Sequence, residues 1–285
     1  MVRILVVPSN VLVELRKHIL KQISERIKSR QIHYQSAGKL IEKEVTDEIV
    51  KFFEGNKNIS LKTFNIPTGK NAFPDITVKF GYRKNIYKIF LEIKSAVSSQ
   101  DPQNDLGTLR SIWEQHILKD IEIENLPNLF MMFVKYSKTE GGIVNKIDDV
   151  YLYHYFKFIG TKNPNPQIEI LSYRKKDGNL RPKKWSEINK IRSPFLSNIE
   201  LRTFIVRFFS TIAFRSLDIV KEHSEILKRF YNIDYLSEFK IAKTGIKVSE
   251  INEEIRHNLN NILKIKEKDV SRSFSVISKF KKISR

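Results

Sequence analysis

Residues 73–96 read FPDITVKFGYRKNIYKIFLEIKSA, and this stretch decides the fold. Apolar and polar residues alternate on both sides of Tyr82–Asn85, which is the pattern of two strands joined by a short turn. We predict that Ile76–Phe80 pairs antiparallel with Tyr87–Leu91 through this four-residue connection. The apolar residues then meet in three pairs, Ile76 with Leu91, Val78 with Ile89 and Phe80 with Tyr87. A slip of one residue would mix charged residues into this face, so the pattern selects the register.

The opposite face of the predicted hairpin carries acids at its open end. Asp75 falls opposite Glu92, with Cβ atoms about 5 Å apart in a regular ladder, and Lys94 follows one pleat further along. Two carboxylates this close repel each other unless a cation lies between them, and Mg²⁺ suits one or two carboxylates with water and phosphate oxygens as the other ligands. Lys94 would then stabilise charge on a phosphate, or orient or deprotonate a water. The alternative is structural: Asp75 in a turn, and Glu92 and Lys94 on a solvated strand face.

The composition favours a polyanionic partner. Lys and Arg total 51 against 32 Asp and Glu, a net charge of +19. A basic surface that binds nothing remains the alternative, and a membrane surface is disfavoured because no basic amphipathic helix dominates. The absence of cysteine excludes disulfides and thiolate zinc sites, and the six histidines are scattered, so any metal must bind oxygen ligands.

Outside the hairpin, periodicity predicts alternating helices and strands. Helices are predicted after Pro8, over about 38–54 and over about 105–119, followed by the strands NLFMMFVKY, VYLYHYFKFIG and QIEILSY. From about Ser197 onward the pattern is helical, in the segments IELRTFIVRFFSTIAF, LDIVKEHSEILKRFY and SEINEEIRHNLNNILKI. The prediction is therefore an α/β core over residues 1–195 and a C-terminal helical subdomain over 196–285, packed on the core.

Pro74-Asp75, followed by Glu92-Ile93-Lys94 after an apolar strand, resembles the signature of the PD-(D/E)xK nuclease superfamily, to which most type II restriction endonucleases belong. The resemblance covers about residues 36–160 and implies a restriction-endonuclease-like core, a mixed central β-sheet flanked by helices. It implies that Asp75, Glu92 and the main-chain carbonyl of Ile93 bind Mg²⁺, with Mn²⁺ able to substitute, and that Lys94 assists the attacking water. The family also has a glutamate on the preceding helix that faces the site, for which Glu42 is the first candidate and Glu44 the second.

Contacts to the DNA backbone are predicted in basic and polar loops, where Lys and Arg would neutralise phosphates. The predicted DNA-binding residues are Lys70 and Asn71 before the hairpin, Gln100 in the segment 97–105, Lys138 in the segment 137–146, and Arg174, Lys175, Lys176, Arg181, Lys183 and Lys184 in the basic loop RKKDGNLRPKKW. An ordinary solvated turn is the alternative for that loop.

Three functions are compatible with the sequence. The first is a Mg²⁺-dependent type II restriction endonuclease that cuts double-stranded DNA at a short sequence, acting as a homodimer because both strands must be cut. The others are a structure-directed nuclease of repair or recombination, and a non-catalytic DNA-binding protein. No window of about 18 apolar residues exists, and the start VRILVV lacks the features of a signal peptide. We therefore expect a cytoplasmic protein without membrane contact or an organic cofactor.

Overall fold

A computed structural model describes residues 5–30, 32–68, 72–104, 106, 117, 121–160, 181–202, 204–205 and 217–233. These residues fall into two compact units, one within 4–160 and 180–196 and the other within 197–285. The predicted domain boundary after residue 195 and the packing of the helical part on the core stay predictions. Among the described residues, no helix is long and apolar enough to cross a membrane.

The first unit is built on a mixed six-stranded sheet. Its strands are β1 (Ile32–His33), β2 (Ile59–Asn65), β3 (Ile76–Tyr82), β4 (Asn85–Val97), β5 (Leu129–Lys138) and β6 (Ile143–His154). They lie in the order β1-β6-β5-β4-β3-β2. Strands β4 and β5 are parallel and every other pair in this sheet is antiparallel. The predicted mixed α/β class, with a mixed sheet flanked by helices, is confirmed at this level.

The hairpin of β3 and β4 has the predicted register. Its ladder pairs Ile76 with Leu91, Val78 with Ile89 and Phe80 with Tyr87, and all six side chains are buried. The predicted connection was too long, because pairing continues to Tyr82 and Asn85 and leaves only Arg83 and Lys84 in the turn. Arg83 has φ 55°, the left-handed conformation that such tight turns require.

Two amphipathic helices cover one face of the sheet. They are α1 (Ser9–Lys28) and α2 (Tyr34–Gly55), and the apolar stripe of each is buried in the same core as the three hairpin pairs. Helix α2 begins four residues before the predicted start at residue 38. The reason is a cap at His33, whose side chain accepts a hydrogen bond from the Gln35 N–H while its carbonyl accepts one from the Ser36 hydroxyl.

The strand predictions after the hairpin are correct in part. Strand β5 is buried on both faces as predicted from NLFMMFVKY. Strand β6 differs from the predicted strand VYLYHYFKFIG, since it begins at Ile143 and ends at His154. A helical turn, α3 (Tyr155–Phe158), follows because the His154 ring accepts a hydrogen bond from the Phe156 N–H. Strands β1 and β2 were not predicted.

Short elements cover part of the second face of the sheet. They are a 3-10 helix (Ile123–Asn128), α3, the pair β7 (Ile159–Gly160) and β8 (Arg181–Pro182), and α4 (Trp185–Ile188).

In the second unit, α5 (Leu217–Tyr231) confirms the helix predicted from LDIVKEHSEILKRFY, and residues 198–202 and 204–205 are helical. The predicted helix 249–265 and strand QIEILSY lie outside the described residues, as does most of the predicted helix 105–119.

Candidate active site

The candidate site lies beside β4, just before the start of β3. The ladder between these strands stops at Ile76 and Leu91, so Asp75 precedes β3 and is not paired across from Glu92 as a regular ladder would require. Its carboxylate instead accepts a hydrogen bond from the Ile93 N–H, with 2.6 Å between Oδ2 and N. Asp75 thus satisfies a backbone donor of β4 that has lost its strand partner.

Glu92 and Lys94 project from the same face of β4, two residues apart. Lys94 Nζ lies 2.5 Å from Glu92 Oε1 and 3.9 Å from Asp75 Oδ2. The ammonium group therefore contacts both carboxylates that were predicted to hold a metal. The second oxygen of Glu92, Oε2, is buried and has no hydrogen-bond partner. A buried carboxylate oxygen without a partner is costly and indicates a place where a ligand or ion would be accommodated.

Burial controls the electrostatics of this pair. The side chain of Glu92 is 8% exposed, and burial raises its pKa to about 7, with the charge of Asp75 adding to the effect and Lys94 opposing it. Burial acts to lower the pKa of Lys94, but the negative charges of Glu92 and Asp75 more than offset it and raise that pKa above its ordinary value. Lys94 is therefore protonated at neutral pH in the metal-free protein.

Helix α2 adds a third carboxylate. Glu42 lies against β4, where the Ser95 hydroxyl is 3.4 Å from its Oε1. Burial raises the pKa of Glu42, with Lys94 opposing and Asp75 adding to the increase, so the three groups share one electrostatic environment. Glu44, the second candidate for this role, instead forms ion pairs with Arg26 and Arg30 between α1 and α2. The structure thus brings Glu42 and not Glu44 to the cluster.

The donors of this cluster fit a hard divalent ion in type and burial. Asp75 and Glu92 supply carboxylate oxygens, and Glu92 Oε2 is free to accept a ligand. The carbonyl of Ile93 faces the same space as its N–H, because both groups of a strand residue point to the same side. Among the described residues, however, no three His, Cys, Asp or Glu side chains are close enough to form a metal site. With Lys94 in contact with Glu92, metal binding would require these side chains to rearrange.

Ser95 was missed by the sequence prediction. Its hydroxyl also lies 3.4 Å from the carbonyl oxygen of Gly38, and its own carbonyl accepts a hydrogen bond of 3.0 Å from the Asn104 side chain. Ser95 therefore joins the start of α2, the carboxylate of Glu42 and the segment after β4. The available signal was strand alternation, which places the residue after Lys94 on the side of the sheet that faces α2.

Those predicted DNA-binding residues that the structure describes make their contacts outside this cluster. The Gln100 side chain is exposed while its carbonyl accepts a hydrogen bond from the Trp185 indole, and the Lys138 ammonium stacks on the Tyr34 ring, 3.5 Å from the centroid. The remaining described members lie in or beside β8, with Arg181 in the strand, Lys183 bonded through its N–H to the Phe158 carbonyl, and Lys184 exposed. Lys70, Asn71, Arg174, Lys175 and Lys176 lie outside the described residues.

Searches for related proteins leave the chain without a family, since no family model matches it and no curated protein matches it at a significant level. The structure alone therefore defines the class of this protein. It is a mixed α/β protein whose sheet carries a cluster of acids and a lysine at the open end of a hairpin.

Proposed function

We propose that the protein is a Mg²⁺-dependent endonuclease of the type II restriction class, which hydrolyses phosphodiester bonds of double-stranded DNA. One observation carries the proposal. Lys94 lies within contact distance of both Asp75 and Glu92 at the end of the β3–β4 ladder, and Glu42 on α2 interacts electrostatically with Lys94 and Asp75. This is the set of residues that the resemblance to the PD-(D/E)xK nucleases implies for the active site.

The order of elements supports a restriction-endonuclease-like core. Helix α2 precedes a meander of three antiparallel strands, β2, β3 and β4, and β5 returns parallel to β4. A parallel return requires a crossover of a dozen or more residues, and the chain between β4 and β5 is long enough for one. Glu92 and Lys94 thus lie on β4 beside its parallel neighbour β5, where Glu92 pairs with Met131 and Lys94 with Phe133.

Each residue has a chemical role in this proposal. A bound Mg²⁺ would supply an activated water and neutralise charge on the phosphate. Asp75, Glu92 and the Ile93 carbonyl would hold the ion, and the Asp75 carboxylate is already oriented by the Ile93 N–H. Lys94, protonated at neutral pH, would donate to a phosphate oxygen and stabilise the charge that develops there. Glu42, whose pKa is raised by burial, would act as the base that accepts a proton from the attacking water.

The test is cleavage of plasmid DNA by the purified protein with Mg²⁺. Discrete fragments support a restriction endonuclease, whereas cutting confined to branched or damaged DNA supports a structure-directed nuclease of the same core. Asp75→Asn and Lys94→Met should each reduce cleavage by at least about 10³-fold, as expected when a group that stabilises the transition state is lost. Both variants should still bind DNA when Ca²⁺ replaces Mg²⁺.

Glu44→Gln is the matched control, because Glu44 lies on the same helix as Glu42 but pairs with Arg26 and Arg30. It should cleave normally under conditions in which it is folded, and Glu42→Gln should not. Binding without cleavage by the wild-type protein would refute the nuclease proposal in favour of a non-catalytic DNA-binding protein. A homodimer is part of the proposal, since one cluster serves one strand, and the mass of the DNA complex in solution would reveal the number of chains.

A further inference from the structure

A second charged feature lies on the face of the hairpin that carries the acid and lysine cluster, closer to the turn. Lys79 of β3 pairs directly with Lys88 of β4, and the next pair on the way to the cluster is Thr77 with Phe90. Directly opposite residues share a face, and Lys88 and Glu92 are four positions apart on β4, so their side chains point to the same side. The lysines and the acids therefore lie on one face of the sheet. Lys79 is exposed and Lys88 is half-buried.

The two lysines approach each other closely. The Ile93 N–H points toward the β3 side of β4, so odd-numbered residues of β4 form the hydrogen-bonded pairs with β3. Lys79 and Lys88 are consequently a non-hydrogen-bonded pair, in which Cα atoms are only about 4.5 Å apart and side chains are closest. Like charges at directly opposite positions destabilise a sheet, so the pair has a cost in the isolated protein.

No acidic residue lies beside this pair on its own or the neighbouring strand to neutralise its charge. The sequence from Ile76 to Leu91 contains no Asp or Glu, and neither does β2. Within the part of the chain that the structure describes, no carboxylate forms an ion pair with Lys79 or Lys88.

A third lysine lies on the same face. The Lys62 side chain of β2 passes over Gly81, with its Cε 3.6 Å from the position that a Cβ of Gly81 would occupy. Gly81 is two residues from Lys79 and therefore shares its face. The three lysines form what we call the hairpin lysine surface, defined as Lys62, Lys79 and Lys88.

Protection of a sheet edge does not account for the pair. Lysines and bulges commonly prevent edge strands from pairing with other chains, and Lys62 lies in the edge strand β2 beside a break in register. Lys79 and Lys88 belong to β3 and β4, which are paired on both sides. Lys88 also leans toward the cluster, with its Nζ 4.8 Å from the centroid of the Phe90 ring. This direction connects the lysine surface with the candidate active site.

We propose that the hairpin lysine surface binds the phosphates of duplex DNA that flank the phosphodiester held at Asp75 and Glu92. The position of the cut phosphate rests on the proposed function, whereas the charge and exposure of the surface do not. Lys79 follows Asp75 by four positions of extended chain, a distance of about 13 Å. In B-DNA this is the axial rise of about four base pairs. The lysines would therefore contact the backbone a few nucleotides from the cut, at positions that carry no base information.

The experiment compares two double variants with the same loss of charge. Lys79→Gln/Lys88→Gln removes the pair, and Lys17→Gln/Lys21→Gln removes two exposed lysines of α1 on the opposite side of the sheet. Binding of a fluorescein-labelled mixed-sequence duplex is measured by anisotropy over a salt series, with Ca²⁺ in place of Mg²⁺. The hairpin variant should bind roughly tenfold more weakly at low salt. Its slope of log K against log salt should be shallower by about 1.8, the value for two phosphate contacts.

The control variant should keep the affinity and slope of the wild type. Equal losses in both variants, or no loss in the hairpin variant, would overturn the proposal, because the lysines would then act through net charge or not at all. A wild-type protein that binds phosphatidylserine–phosphatidylcholine vesicles through these lysines but does not bind DNA would also overturn it.

The two proposals fail separately. If the wild type does not cleave DNA but the hairpin variant loses affinity as predicted, the lysine surface stands and the nuclease proposal fails. If the wild type cleaves and the hairpin variant binds normally, the reverse holds. Thermal unfolding of each variant shows that it is folded. Lys79→Gln alone repeats the test with a smaller perturbation, and its slope of log K against log salt should change by about half as much as that of the double variant.

Discussion

Replacement of Glu92 by Gln should stabilise the metal-free protein in a pH-dependent way. The pKa of this carboxyl is 4.5 in an ordinary environment and about 7 in the folded protein, where burial raises it. The folded protein therefore binds this proton more tightly than the unfolded chain does. The stability that the proton provides is complete below about pH 4.5 and is lost as the pH rises through about 7.

The magnitude follows from the difference between the two pKa values. At 1.36 kcal/mol per pKa unit, ionisation of Glu92 costs about 3 kcal/mol of folding free energy once the pH exceeds about 8. Glutamine resembles the protonated acid and does not ionise. The free energy of unfolding of Glu92→Gln minus that of the wild type should therefore rise by about 3 kcal/mol between about pH 4.5 and about pH 8.

Urea unfolding in EDTA at constant ionic strength, repeated across this pH range, measures the difference. Glu44→Gln provides a control with a different pH window, because ion pairs with Arg26 and Arg30 offset burial and lower the pKa of Glu44. Ionised Glu44 stabilises the fold above its unfolded pKa of 4.5, and this stability is lost only as the pH falls below that value. The difference between this variant and the wild type should therefore stay nearly constant between about pH 4.5 and about pH 8. A Glu92→Gln difference that is flat or falls with increasing pH would refute the electrostatic account of the cluster.

Two further predictions concern the sheet and its turns. Lys79→Glu should raise the free energy of unfolding by about 0.5–1 kcal/mol, since it converts the repulsive pair with Lys88 into an attractive one; urea unfolding in dilute salt tests this, and no gain would contradict the close approach inferred for the pair. Gly142→Ala should lower the free energy of unfolding by about 1–3 kcal/mol, because Gly142 has φ 79° and a Cβ there would lie 2.8 Å from His33 Nε2. The control is Gly55→Ala, whose added Cβ meets no atom within 4 Å. It should leave the midpoint of thermal unfolding within a few degrees of the wild type.

The hairpin register was predictable because three cross-strand pairs had to agree at once. Ile76, Val78 and Phe80 all find apolar partners in one register, whereas a slip of one residue in either direction places Lys88 opposite one of them, so the hydrophobic effect alone selects the pairing. Strand β2 lacked such a signal. Of its seven residues only Ile59 is buried, because β2 is an edge strand with one side in solvent, and the alternation on which the prediction relied is interrupted by a bulge.

Helix and strand ends were the least predictable parts of the fold, since they depend on caps made by single side chains. His33 begins α2 before the first apolar residue of its stripe, and His154 ends β6 inside a run of aromatic residues that reads as one strand. In both places the imidazole accepts a hydrogen bond from a backbone N–H two residues later. Histidine is not among the preferred capping residues, so the sequence pattern indicated no boundary at either site.

The candidate site was predictable in its members but not in its internal contacts. Counting along the hairpin brings Asp75 to Glu92, yet the ladder ends one pair earlier, and Asp75 binds the Ile93 N–H where a strand partner was expected. The contact between Ser95 and Glu42 depends on how closely α2 packs on β4, which periodicity does not determine.

The cost of the cluster is an argument for the proposed function. A protein selected for stability alone would not bury Glu92 with one carboxylate oxygen unpaired, nor place two lysines directly opposite each other in a hairpin. The buried carboxylate and the lysine pair both destabilise the protein, and both lie on the same face of β3 and β4. Each carries a charge that a ligand of opposite charge would compensate. A divalent ion compensates the buried carboxylate, and phosphates compensate the lysine pair.

Ca²⁺ should therefore stabilise the wild type more at pH 8 than at pH 6, because deprotonation of Glu92 precedes binding, and should have no such effect on Glu92→Gln. Equal stabilisation of both proteins by Ca²⁺ would show that the ion binds elsewhere and would contradict metal binding by Glu92.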